Sequence, residues 1–151
     1  MLRLMYSAIF ACTMTSIALA HCQVPCGIYG DQLRFQQMLE DENTISKAQL
    51  QLGELMTDAP DAQSVNQMVR WATTKEDHAT KIQRTIADYF MAQRIKPDSE
   101  NYTKQITAAH KVIITAMKAK QSADPATAKA LETAIFDLYR AYEGKEPDFE
   151  N

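Results

Sequence analysis

The sequence predicts an all-α protein, an antiparallel four-helix bundle with an irregular N-terminal metal-binding hook. Three observations carry this expectation. Apolar residues recur at three-four spacing along most of the chain, the periodicity of one face of a helix. The breaks between these stripes are short and marked by proline with aspartate, which places successive helices side by side and antiparallel. Glycine occurs only four times and strand signals are absent.

The elements follow in order. The first helix is expected over about 32–56, with Phe35, Met38, Ile45, Ala48, Leu52 and Leu55 on one face. The run Thr57-Asp58-Ala59-Pro60-Asp61 ends it. The second is expected over 62–94, with Val65, Met68, Ala72, Ala79, Ile82, Ile86 and Tyr89 as its stripe, and it stops before Pro97. The third covers about 100–120 and turns Tyr102, Ile106, Ala109, Ile113 and Met117 to one side. Asp124-Pro125 offers a capping side chain followed by proline at the first helical position, so the fourth helix begins there and runs to about 142. It should bury Leu131, Ile135, Leu138 and Ala141 or Tyr142. Glu42 and Glu76 interrupt the apolar seams and read as partly exposed seam positions. His78 and His110 are isolated and read as surface or internally satisfied histidines.

Composition narrows the function. The chain has 151 residues, 46% of them apolar, enough for one domain with a core. The net charge is -3 and the basic residues do not cluster, so nucleic acid and anionic membrane find no electrostatic footprint. Residues 1–20 stand apart from the bundle. Arg3 precedes an apolar run that ends Ala18-Leu19-Ala20, a small-x-small cleavage signature, and the segment reads as a signal peptide or cleaved leader. Serines and threonines within the run weaken an anchor reading, and no later stretch is long and apolar enough to span a membrane. Three divisions result: leader 1–20, hook 21–30 and bundle 31–151. Cleavage removes Cys12 and leaves Cys22 and Cys26 near a new terminus that begins with His21.

That terminus, His21-Cys22-Gln23-Val24-Pro25-Cys26-Gly27-Ile28-Tyr29, offers a metal a compact donor set. A free amine has a pKa of about 8, so a metal can displace its proton. The Cys22 amide nitrogen closes a five-membered chelate with that amine, and the Cys22 thiolate closes a second with its own amide. Cys26 reaches back across the turn as a fourth donor. Two nitrogens and two sulfurs in a plane suit Ni(II) or Cu(II) rather than tetrahedral zinc. The His21 ring can add an axial donor, and Tyr29 can set a phenol near the open face. Pro25 and Gly27 help turn the chain. Cys22 and Cys26 could equally form a short disulfide in a secreted helical interaction protein. A secreted nickel- or copper-binding carrier without catalysis is a further alternative.

All six specified positions of this segment match H-C-x-x-P-C-G-x-Y, and it resembles the nickel hook of the nickel superoxide dismutases. Asp88-Tyr89-Phe90 and Asp124-Pro125-Ala126-Thr127 are also similar to family sequences. The resemblance implies a four-helix fold and disproportionation of superoxide to dioxygen and hydrogen peroxide through Ni(II)/Ni(III) cycling. It implies one nickel ion per subunit on the His21 amine, the Cys22 amide and the Cys22 and Cys26 thiolates, with the His21 imidazole axial. It makes Tyr29 a gatekeeper, sets Tyr89 near the site, makes the Val24-Pro25 bond cis and implies a homohexamer. A carboxylate partners the imidazole in some relatives. Arg34-Phe35-Gln36-Gln37 occupies that stretch here, and the role is not carried over. An arginine that tunes the site in some relatives aligns with His78 only through a gap, and it too is not carried over. The leader resembles an export signal, which points to a periplasmic or secreted protein after cleavage, or a cytoplasmic one if the leader is a pro-segment.

Overall fold

The structure is a computed structural model and describes residues 28–56 and 59–149. The leader, His21, Cys22, Cys26, Pro25 and Gly27 lie outside the described residues.

Helix α1 spans Asp31–Leu55, α2 spans Ala62–Arg84 and continues as a π-helical segment Thr85–Arg94, α3 spans Tyr102–Gln121, and α4 spans Pro125–Glu143. No strand occurs among the described residues. The starts and stops have local causes. The Asp61 carboxylate accepts from the Ser64 amide at 2.7 Å and caps α2. Asp124 accepts from the Ala126 amide at 2.9 Å with Pro125 at the first turn of α4, as the sequence predicts. Gly144 ends α4 at φ 72°, a left-handed conformation that glycine adopts without a Cβ penalty, and its amide donates to the Arg140 carbonyl at 3.1 Å.

Each helix packs on its neighbours in sequence, and α4 closes back on α1. The directions are antiparallel. Asp31 at the start of α1 meets Arg94 at the end of the π-helical segment and Tyr142 at the end of α4. Gln49, late in α1, reaches Thr127 at the start of α4. The core between the helices is apolar and centred on Phe35, whose ring lies 4.8 Å from that of Phe90 and 5.0 Å from that of Tyr139. A fully buried phenylalanine of this kind contributes roughly 2–3 kcal/mol.

Three expectations are corrected by the packing. Val65 is exposed, because the first turns of α2 project beyond the buried seam, which begins at Lys75 and Ala79. Met117 is exposed as well. In α3 the buried row is Ala109, Val112, Ala116 and Ala119, with Ile106 and Ile113 at its flank. Small residues let that helix approach its neighbours closely, so the seam is set by the smallest side chains and not by the largest. Glu42 is buried at 5% exposure, whereas Glu76 is exposed and pairs with Lys75 and Lys120 at 3.6 Å. His78 is satisfied by Asp41, with its Nδ1 at 2.6 Å from Oδ1, and His110 is exposed. No helix among the described residues is long and apolar enough to cross a membrane.

Candidate metal centre

Tyr29 stands where the chain enters the bundle, two residues ahead of α1. Its ring meets that of Tyr89 edge-on, 6.4 Å between centroids at 83°. The Arg34 guanidinium lies over the Tyr29 ring, 4.1 Å from the centroid, and 5.7 Å from that of Tyr89, a cation held against two aromatic faces. Tyr29, Arg34, Arg84, Thr85, Asp88 and Tyr89 line an open cavity of about 200 Å³. Two arginines against one aspartate leave this cavity electropositive, which suits a small anion.

Behind the cavity lies a polar cluster. The Tyr89 hydroxyl is 2.5 Å from Asp31 Oδ1 and 3.0 Å from the Tyr29 carbonyl oxygen. It has one proton, and the carboxylate is the stronger acceptor. Asp31 Oδ2 accepts from Arg94 at 2.6 Å and from the Tyr142 hydroxyl at 2.8 Å. Burial works to raise the Asp31 carboxyl, but its bonds from Arg94, Tyr89 and Tyr142 outweigh burial and hold it below the ordinary value. Burial pushes the Tyr89 phenol up to about 12, helped by the hydrogen bond and charge of Asp31. Tyr89 is therefore protonated at any physiological pH.

Of the site residues read from the sequence, the structure brings Tyr29 and Tyr89 together. His21, Cys22 and Cys26 lie outside the described residues. In the Arg34–Gln37 stretch, Arg34 donates to Gln37 Oε1 at 2.5 Å and Phe35 belongs to the core. Asp31 and Arg94 were not singled out by the sequence reading, and Tyr142 was read only as a candidate for burial by α4, not as part of a site. The one hint was Asp31 following two residues after Tyr29; nothing in periodicity ties it to positions 58, 63 and 111 residues away.

The donor set can be tested against the bundle. No group of three or more histidine, cysteine, aspartate or glutamate side chains that could hold a metal occurs among the described residues. All three cysteines of the sequence precede residue 28, so thiolate donors for nickel can come only from the N-terminal segment. An amine, an amide nitrogen and two thiolates there fit nickel by their chemistry.

The described residues form a four-helix bundle with an aromatic, electropositive cavity beside the point where the cysteine-bearing N-terminal segment joins it. The sequence model of the family "nickel-containing superoxide dismutase" matches residues 16–146, and the chain belongs to that family. It is accordingly a nickel-dependent oxidoreductase that disproportionates superoxide to dioxygen and hydrogen peroxide. Comparison with curated proteins and with solved structures yields no match.

Proposed function

We propose that His21, Cys22 and Cys26 hold the nickel of this dismutase, after cleavage between Ala20 and His21 frees the His21 amine. The observation that carries this reading is the pairing of two facts. The family match spans both the 21–29 segment and the bundle, while the described bundle offers no metal-binding group of its own. The carrier alternative gains no support from the family match, and a Cys22–Cys26 disulfide would remove both thiolates.

Bound nickel supplies a one-electron couple, Ni(II)/Ni(III), tuned by anionic sulfur and nitrogen donors into the range of the superoxide couples. The protein's side chains do the rest. Arg34 and Arg84 raise the local concentration of the superoxide anion at the cavity. The half-exposed Tyr29 ring narrows the approach and admits a diatomic while rejecting larger anions. Tyr89, protonated and held by Asp31, supports the Tyr29 ring from behind. In this reading the mature protein works outside the cytoplasm, as its export-like leader suggests, and assembles as a homohexamer, as the family resemblance implies.

Native mass spectrometry of the loaded protein tests these points together. The expected species begins at His21, carries one nickel per subunit and contains six subunits. Cys22→Ser and Cys26→Ser should each lose both nickel and turnover and keep the helical circular dichroism, since the four helices of the described residues carry a core of their own. A serine variant that retains substantial dismutase activity would refute the ligand set.

A further inference from the structure

The Asp31 carboxylate joins three elements. It opens α1, receives Tyr89 and Arg94 from the π-helical segment, and receives Tyr142 from the end of α4. Only 16% of its side chain is exposed. Tyr89 and Arg94 are five residues apart. On an α-helix at 3.6 residues per turn, such a pair points about 140° apart around the axis and cannot converge on one carboxylate. A π-turn, with bonds between residues five apart, brings them to the same side. The Ile95 amide donates to the Phe90 carbonyl at 2.8 Å with that same spacing. The local widening of the helix is what brings two donors to Asp31.

We propose that Asp31 is a positioning residue for the dismutase: through Tyr89, Arg94 and Tyr142 it fixes where the chain leaves the bundle and so holds the Tyr29 ring over the Arg34–Arg84 cavity. The inference rests on the reading in which Tyr29 guards the metal's open face. Helix-start aspartates also favour the positive end of the helix dipole, and that role alone would leave Tyr29 where it is.

The test uses the full processed protein carrying 3-fluorotyrosine, with Tyr29 and Tyr102 assigned by phenylalanine replacement. Tyr102 lies at the start of α3 and makes none of these bonds. In the metal-free Asp31→Asn protein the Tyr29 fluorine resonance should move toward that of free tyrosine and sharpen, with Tyr102 unmoved. The nickel-loaded variant should keep its nickel stoichiometry and lose roughly tenfold in kcat/KM, the scale expected when a site group is displaced by a fraction of an ångström. Arg94→Lys and Tyr142→Phe, each removing part of the clamp, should give smaller shifts in the same direction, and they serve if Asp31→Asn does not fold. A Tyr29 resonance that stays put in all variants overturns the clamp. Tyr29→Phe, run alongside, separates the two claims. If it is silent while Asp31→Asn moves the resonance, the gatekeeping reading fails and the clamp stands. If it is impaired while Asp31→Asn moves the resonance and turns over normally, the functional role of Asp31 is overturned.

Discussion

Removing His21 and removing Tyr29 should take different things from the site. His21→Ala keeps the terminal amine, the amide and both thiolates of the proposed set. Nickel should stay bound while turnover falls strongly, because the imidazole that would support the oxidised metal is gone. Tyr29→Phe keeps every proposed ligand, so nickel content should be normal and the change in rate or peroxide inhibition mild. Electron paramagnetic resonance of the oxidised protein decides the histidine claim: an axial nitrogen splitting should be present in the unmodified protein and absent in His21→Ala. Its persistence would require another imidazole, and of the two remaining, His78 is already bound to Asp41 and His110 is exposed. The proposed ligands could be read from sequence because adjacent residues close the chelate rings, so the chemistry is local. Asp31 could not, because its meaning depends on partners brought in by the fold from two other elements, the π-helical segment and α4.

At the scale of the element, periodicity located all four helices to within a residue or two, because apolar stripes and the Asp61 and Asp124 caps are local signals. It did not give the π-helical segment, whose widened turn depends on what its side chains reach and leaves no mark in a three-four pattern. It also rated size above fit in α3, where alanines and not Met117 face the core. Glu42 in α1 is the sharpest such miss. Burial, with the charge of Glu132 added and that of Lys129 opposing, pushes its carboxyl up to about 7 from an ordinary 4.5. The folded protein thus holds a proton that the unfolded chain releases, and Glu42 erodes stability as pH rises from about 4.5 to about 7, with the loss complete above that. Glu42→Gln mimics the protonated form. It should be near neutral at pH 5 and stabilise by about 1 kcal/mol at pH 8, less than the full shift implies because Glu42 borders an open cleft with Leu39, Asn43 and Glu132, where solvent screens the charge. Denaturant unfolding at the two values checks this, and an equal effect at both would show that Glu42 does not change charge between them.

Across the whole molecule, the bundle is apolar in the middle and polar at both ends. At one end stands the Asp31 cluster. At the other, Gln49 Nε2 donates to Thr127 Oγ1 at 2.8 Å and to the Ser122 and Ala119 carbonyls at 3.1 and 3.4 Å, while the buried Lys75 ammonium donates to the carbonyls of Ala119 and Lys120. These bonds serve the last carbonyls of α3, which have no partner inside their own helix. Gln49→Ala should cost about 1–3 kcal/mol, since it takes the donor from the Ser122 carbonyl and the Thr127 hydroxyl and leaves Ala119 to Lys75 alone. A thermal midpoint unchanged from the parent would show that water replaces the amide at no cost. The topology was legible in advance because short breaks leave few ways to arrange four stripes; the polar ends were not, because glutamine and lysine on an apolar stripe look like errors until the facing helix terminus is known.

Helices joined by apolar stripes alone can slide. A slip of one turn, about 5.4 Å, replaces one row of side chains with another of similar oiliness. In this bundle such a step along α1 would pull Asp31 off Tyr89, Arg94 and Tyr142 and, in the same motion, pull Gln49 off the α3–α4 corner. The two ends behave like the paired scales of a vernier, which coincide at one setting only. The greasy interior supplies the grip, and the polar ends choose the notch.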